Sequence, residues 1–308
     1  MTTSKHFLIT SVLIILMNAI NVNNAFADDF NFELDLSRGI NNNVFLESDD
    51  ILNNADSSEQ INEDVQTQLG LMLDYEFLDQ DKSDAKIIID YFSESFEEND
   101  LDTRIVNMSL PISYYHNDFR FRTTFSRTNY QLSGTNVLLY SGGKLDITHR
   151  SGDKRLGGQL SHTNKAPTDS RYAGYKGSSQ ELKFYTQLSR TDHSFLLSAT
   201  IFNNDYQDEF IATKGYYAQS SFSKRLVGHD WRLSGKYKNT LYNEDPLFED
   251  TRNDNQVSVN YTHNVYVHKQ SDLYFRSEYT LNQSNIENTD DDYNYNQWIN
   301  TIGVRIRL

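Results

Sequence analysis

The chain has 308 residues, a formal net charge of −15, three prolines and no cysteine. The acidic balance argues against nucleic acid as a partner, because binding phosphates requires a basic face. Disulfides and cysteine metal sites are excluded, and the eight histidines fall into no HExxH or HxH spacing, so we expect no metal and no cofactor.

The N-terminal segment has the pattern of a secretory signal peptide. A short positive region precedes an apolar run at 7–20, and residues 25–27 read Ala-Phe-Ala, a small-x-small cleavage pattern. A retained membrane anchor is the alternative, but the apolar run is short for a span of about 20 residues. We therefore predict a signal peptide at 1–27 and one mature domain at 28–308.

The mature domain is dominated by apolar residues that alternate with period two. In 30–37, the apolar residues Phe30, Phe32, Leu34 and Leu36 share one face, which is coherent for a strand and not for a helix. Similar segments, most of them longer than the usual globular strand of about 5–6 residues, recur along the chain. They predict fourteen strands, at 30–38, 64–78, 85–94, 103–114, 118–130, 135–148, 154–163, 179–190, 193–203, 215–226, 229–241, 255–267, 271–283 and 296–308.

The connections alternate between short turns, such as 80–84 and 226–230, and long acidic loops, such as 40–64 and 282–296. A tilted strand needs about 9–11 residues to span a bilayer, and unequal connections are typical of outer-membrane barrels. We predict an all-β fold: a transmembrane antiparallel up-and-down β-barrel of about 14 strands with both termini periplasmic, in the cell outer membrane. A soluble β-sandwich competes, but its strands are shorter and its connections less unequal.

The face of each strand that is predicted to contact lipid is rich in Phe, Leu, Val and Tyr. Aromatic residues recur near the predicted strand ends, as the interfacial girdles of a barrel would require. The general preference of strands for aromatic residues explains their frequency but not this placement. The girdle candidates are Tyr75, Phe77, Tyr114, Tyr216, Trp231 and Trp298.

The opposite face carries large charges that are sorted along the chain. We predict that they line the lumen: Glu33, Asp35, Asp74, Glu76 and Asp90 in early strands, Arg120, Arg122 and Lys144 in the middle, and Arg232, Lys236, Lys238, Arg276, Arg305 and Arg307 in late strands. If the sheet closes, Arg305 and Arg307 lie beside Glu33 and Asp35, so we expect ion pairs across that seam. Two interpretations stay open: facing acidic and basic walls orient polar or zwitterionic solutes, or a paired network occludes the barrel.

Runs of acidic residues mark two of the long loops, at 47–50 and 289–293. They either bridge divalent cations to lipopolysaccharide or form an ordinary solvated surface. Neither run has the spacing of a calcium loop with its Gly and terminal Glu.

The histidines give no catalytic arrangement. His162 and His263 fall on the predicted lipid-facing or rim side, and others fall at the short turns, where no Ser and acid share their level. We therefore predict that the protein is not an enzyme.

The last predicted strand carries a targeting pattern. Ile302, Val304, Ile306 and Leu308 alternate back from the end of the chain, and the strand resembles the C-terminal insertion signal of bacterial outer-membrane proteins. The resemblance implies recognition by the barrel assembly machinery during insertion. Leu308 departs from the terminal aromatic residue of that signal.

Two stretches, 39–50 and 279–298, are similar to segments in the C-terminal barrel of surface lipoprotein assembly modifiers and related barrels fused to tetratricopeptide domains. The resemblance implies a barrel of fourteen strands and, as one possibility, translocation of a surface protein. The periplasmic tetratricopeptide domain of that family has no counterpart in this sequence, so substrate capture is not carried over.

The leading hypothesis is a channel or porin-like transporter that passes polar solutes or polymers through a charge-lined lumen. The alternative is a translocation or assembly barrel for a surface-exposed protein or lipoprotein. A third possibility is a structural or adhesive surface protein that acts through its acidic loops. The expected partners are outer-membrane lipid and lipopolysaccharide, the barrel assembly machinery, and an unknown solute or secreted protein, without nucleic acid.

Overall fold

The computed structural model describes residues 30–42, 64–98, 102–243, 251–285 and 295–308. The predicted signal peptide at 1–27 and the acidic runs at 47–50 and 289–293 lie outside the described residues. The strands are β1 (Phe30–Asn41), β2 (Asp64–Gln80), β3 (Ser83–Phe96), β4 (Thr103–His116), β5 (Phe119–Leu132), β6 (Thr135–Ser151), β7 (Lys154–Pro167), β8 (Gly177–Ser189), β9 (His193–Tyr206), β10 (Thr213–Leu226), β11 (His229–Tyr242), β12 (Asn253–His268), β13 (Ser271–Ser284) and β14 (Tyr295–Arg307).

The fourteen strands form one closed sheet. Each strand pairs antiparallel with its neighbours in sequence, and β14 pairs with β1 to complete the barrel. The predicted all-β fold, an antiparallel up-and-down barrel of fourteen strands, is confirmed. Several strands extend further toward the loops than predicted, as in β7, which continues to Pro167. The extension of β7 is polar and carries no apolar alternation from which it could have been predicted.

Connections of two or three residues gather at one end of the barrel, which we call the short-turn end: 81–82, 117–118, 152–153, 190–192, 227–228 and 269–270. Asn117, Gly152 and Gly228 have positive φ angles of 52°, 56° and 78°, the left-handed backbone that tight hairpin turns require. The opposite end is the long-loop end. The two-residue turn at Ser133 and Gly134 lies there, and it is an exception to the predicted alternation of short and long connections.

Two short 3-10 turns interrupt the long-loop end, at Ser170–Tyr175 and Glu209–Ile211. The side chain of Asp169 accepts a hydrogen bond from the backbone N–H of Arg171 and caps the first turn. Hydrogen bonds from the Arg171 side chain hold the pKa of the Asp169 carboxyl below its usual range. Within the described ranges, no helix is long and apolar enough to cross a membrane.

The outer face of the barrel exposes large apolar side chains. Directly opposite residues in neighbouring strands point to the same side of a sheet, so these side chains form one surface. Leu156, Phe184 and Ile302 are 63%, 61% and 67% exposed. A contiguous apolar surface of this kind is lipid-facing in membrane barrels. The aromatic residues predicted for the girdles all lie on this face, toward the ends of their strands: Tyr75, Phe77, Tyr114 and Trp231 near the short-turn end, Tyr216 and Trp298 near the long-loop end.

Candidate functional site

The inner face of the barrel is the candidate functional site. The strand registers place all fourteen charges predicted for the lumen on this face: Glu33, Asp35, Asp74, Glu76, Asp90, Arg120, Arg122, Lys144, Arg232, Lys236, Lys238, Arg276, Arg305 and Arg307. Alternation along each strand turns the apolar residues outward and these residues inward. Their shared face follows from the sequence pattern, whereas their partners depend on the register between strands.

The closing seam is held by ion pairs on the inner face. Glu33 lies directly opposite Arg307, and Asp35 lies opposite Arg305. Arg305 Nη2 is 3.1 Å from Asp35 Oδ2, its Nε is 3.3 Å from Glu33 Oε1, and Arg307 Nε is 3.0 Å from Glu33 Oε2. The predicted ion pairs across the seam are confirmed.

Two residues of β13 extend this seam cluster, and the sequence analysis missed both. Asp272 is 1% exposed, and its Oδ1 lies 2.8 Å from Arg307 Nη1. The Tyr274 hydroxyl donates a hydrogen bond to Asp35. A β-carbon at Gly303 would lie 2.4 Å from the Cζ atom of Tyr274, so this glycine leaves the space that the ring occupies. Nothing in the alternation of β13 sets these two apart; only the register with β14 does.

Some of the other charges in the half of the barrel toward the short-turn end are also paired. Lys86 Nζ lies 3.2 Å from Glu76 Oε2 and 3.8 Å from Asp74 Oδ2. Arg120 Nη2 lies 3.1 Å from Asp146 Oδ1. These contacts and the seam cluster form a network of compensated charges along the wall.

The inner faces of β11 and β13 also carry cations. We call Arg232, Lys236, Lys238 and Arg276 the basic wall. Among the described residues, the guanidinium of Arg232 has no carboxylate partner and donates instead to Ser221 Oγ at 2.9 Å. Arg276 likewise has no carboxylate partner within the described ranges. Arg232 and Arg276 are therefore available to a solute.

The inner face of β3 carries two acids, Asp90 and Glu94, which we call the acidic wall. Asn107 Nδ2 donates to Asp90 at 2.9 Å, and Gln68 Nε2 donates to Glu94 at 2.8 Å. Neutral amides hold these carboxylates in place and leave their charges uncompensated. From β3 to β11 the barrel counts six strand steps one way and eight the other. The acidic and basic walls therefore face each other across the lumen.

Space remains between these walls. Cavities of about 490, 560 and 350 Å³ lie along the inner face. Arg276 lines all three of them, so this residue borders each cavity. Among the described residues, the paired network does not fill the lumen.

Among the described histidines, only His193 lines one of the three cavities. His162 and His263 are on the outer face, and His263 Nε2 lies 3.1 Å from Nδ1 of His229. His193 Nδ1 lies 2.7 Å from Asp192 Oδ1, and this hydrogen bond lowers the pKa of the Asp192 carboxyl. No histidine in the described part of the chain hydrogen-bonds to a serine hydroxyl. The same residues contain no group of three His, Asp or Glu side chains arranged to hold a metal ion.

No protein-family model matches the chain, and no curated protein matches it in sequence. Solved structures do match. In-vitro folded OmpT, an outer membrane protein of Vibrio cholerae, aligns with a TM-score of 0.52 at 7% identity, over 91% of this chain and 97% of that one. An anion-selective porin from Comamonas acidovorans aligns with a TM-score of 0.51 at 9% identity, over 91% and 98%. The chain thus has the fold of bacterial outer-membrane β-barrels, and its exposed apolar band is the surface that the outer membrane covers.

Proposed function

We propose that the barrel is a porin-like channel that passes small polar solutes across the outer membrane through its charge-lined lumen. The observation that carries this proposal is the position of Arg276, which lines three cavities of the inner face. A solute that moves from one cavity to the next passes its guanidinium. Arg276 is then the residue that limits the size and charge of what passes.

The facing walls support the same function. Arg232 and Arg276, which have no carboxylate partner among the described residues, and the carboxylates of Asp90 and Glu94 set up a field across the lumen. In a cavity with low-dielectric walls such a field is focused, and it orients solutes that carry both signs of charge. The walls therefore favour dipolar and zwitterionic solutes over apolar ones.

The test is a planar-bilayer recording of the purified barrel in a KCl gradient. Lys236→Gln removes a cation from the lumen and shifts the reversal potential toward cation preference, whereas Asp90→Asn shifts it toward anion preference. Lys214→Gln is the matched control, because Lys214 lies on the outer face of β10. Absence of unit conductance at every voltage, or equal shifts from Lys214→Gln and Lys236→Gln, contradicts the proposal.

A translocation or assembly barrel for a surface-exposed protein is the second candidate. What supports it is the count of fourteen strands, the number that the resemblance to assembly-modifier barrels implies. Protease shaving of intact cells tests it: a lipoprotein encoded beside the barrel gene is digested only when the barrel is present. Digestion that is independent of the barrel excludes this role.

A further inference from the structure

The smallest of the three cavities, about 350 Å³, differs from the others in the apolar side chains on its wall. We call it the apolar recess. Six inward-facing residues give it this character: Phe92, Phe96, Ile105, Tyr130, Leu132 and, on β14, Ile299. Phe92 lies directly opposite Ile105, which in turn lies opposite Tyr130, so the patch runs unbroken over β3, β4 and β5.

The presence of apolar residues on the inner face of a charged lumen needs an explanation. The sequence shows their origin in β3, where Ile87, Ile88 and Ile89 break the alternation and precede two inward phenylalanines. All six recess residues are partly exposed rather than buried. Apolar area left in water forgoes the stabilisation that burial gives, and exposed apolar patches of this kind mark sites that a ligand covers.

Both signs of charge line the same recess. Arg276 and Glu278 stand two residues apart on the inner face of β13, and Glu94 lies between the two phenylalanines of β3. Asn260 Nδ2 donates to Glu278 at 3.1 Å, and Gln68 donates to Glu94. Within the described residues, none of the three charges has a partner of opposite sign.

We propose that the apolar recess binds a zwitterion with an apolar side chain, of the α-amino acid type. Arg276 receives the carboxylate, because a planar guanidinium matches it with two hydrogen bonds. Glu94 and Glu278 receive the ammonium group, and the phenylalanine side of the recess covers the apolar side chain. The inference rests on the proposed channel function, since a solute reaches the recess through the lumen.

Simpler ligands fit this set of groups less well. An organic anion satisfies Arg276 but meets two carboxylates, and an organic cation leaves the guanidinium unpaired. A small zwitterion without a side chain leaves the apolar wall in water. Discrimination against each follows from the unpaired group that it leaves behind.

The first experiment is calorimetric titration of the barrel in lipid nanodiscs with four probes. They are L-phenylalanine, glycine, 3-phenylpropanoate and phenethylamine. We expect L-phenylalanine to bind more tightly than each of the others by about tenfold, the change that corresponds to about 1.4 kcal/mol. Equal affinity for 3-phenylpropanoate or phenethylamine would overturn the assignment of a zwitterion, and equal affinity for glycine would overturn the role of the apolar wall.

Variants separate the recess from the rest of the lumen. Leu132→Ser and Arg276→Gln each weaken L-phenylalanine binding about tenfold, because each removes one of its contacts. Leu196→Ser and Arg155→Gln are matched controls on the inner face outside the recess, and they leave the affinity unchanged. If the two control variants lose affinity and the two recess variants do not, the binding site does not lie in the apolar recess.

Failure of the two proposals can be told apart. If the barrel conducts ions but binds none of the four probes, the proposed channel function is retained and the proposed binding site in the apolar recess is overturned. A barrel that binds L-phenylalanine with the expected preferences but shows no conductance supports the recess and contradicts the channel.

Discussion

Two inward-facing glycines accept tyrosine rings from the neighbouring strand. A β-carbon at Gly157 would lie 2.2 Å from Cζ of Tyr185, and one at Gly303 would lie 2.4 Å from Cζ of Tyr274. Each ring lies flat over its glycine and brings the hydroxyl to an inner-face carboxylate, Asp146 or Asp35. These glycines are required for side-chain packing rather than for a turn, and an aromatic ring over a strand glycine also protects the exposed backbone.

This packing gives a prediction for Gly303→Ala. The added methyl group displaces the Tyr274 ring and its hydrogen bond to Asp35, and forcing extra volume into a packed site costs about 1–3 kcal/mol. Denaturant unfolding of the refolded barrel in detergent measures the loss. Gly143→Ala is the control, because its β-carbon meets no atom closer than 4.0 Å. Equal destabilisation by both substitutions would show that backbone freedom, and not the ring, is responsible.

At the residue scale, the sequence indicates which face of the sheet a side chain occupies, but it does not indicate which other side chains it contacts. Alternation alone assigns Glu33, Asp35, Arg305 and Arg307 to the lumen, and closure of the sheet then brings them together. Asp272 completes the same cluster, but its contact with Arg307 depends on a register that no local pattern encodes. Pairing between strands distant in sequence is a property of the folded sheet.

At the scale of elements, the pairing of β14 with β1 carries half-buried ion pairs. The side chains of Arg305 and Asp35 are 19% and 22% exposed, and the Phe32 and Leu308 backbones exchange hydrogen bonds of 2.9 and 3.0 Å at the end of the pairing. Water screens a half-buried pair less than a surface pair. The seam ion pairs therefore contribute more to stability than those on the rim.

A double-mutant cycle tests this difference. For Asp35→Asn and Arg305→Gln we expect a coupling energy of about 1–3 kcal/mol, in the upper part of the range of about 0.5–3 kcal/mol for contacting residues in one network. Arg38 and Glu97 give the comparison, since their side chains are 64% and 46% exposed and such surface pairs contribute about 0–1 kcal/mol. A coupling at the seam no larger than at the exposed pair would contradict this account.

The existence of each strand could be predicted from the sequence, whereas the ends of the strands and the apolar recess could not. Period-two alternation locates every strand, because lipid and lumen impose opposite polarity on successive residues. It fades toward the loops, where both faces contact water, and β7 consequently runs further than predicted. In β3 the run of Ile87, Ile88 and Ile89 puts apolar residues on both faces, so the apolar recess emerges only from the registers.

At the scale of the whole molecule, the two ends of the barrel are chemically unequal. Tight turns close one end, and longer connections with two 3-10 turns gather at the other. In outer-membrane barrels the short turns face the periplasm and the long loops face outward. The same orientation is expected here, with both termini periplasmic.

Single-cysteine labelling tests this orientation, and the native chain contributes no background because it has no cysteine. Ala173→Cys, in the 3-10 turn at the long-loop end, is expected to react with a membrane-impermeant maleimide on intact cells. Gln270→Cys, in a short turn, is expected to react only after the outer membrane is permeabilised. The reverse pattern would show the opposite orientation.

The closed sheet also has a consequence for how the chain folds. Thirteen of its fourteen strand pairings join consecutive strands, so they can form as local hairpins, whereas the pairing of β1 with β14 joins residues such as Glu33 and Arg307, 274 positions apart. Contacts of such long sequence separation form slowly, because loop closure must precede any stabilising contact. Until β14 docks, the sheet has two unpaired edges that other chains can extend. Closure of the seam is therefore the kinetic step at which correct folding competes with aggregation.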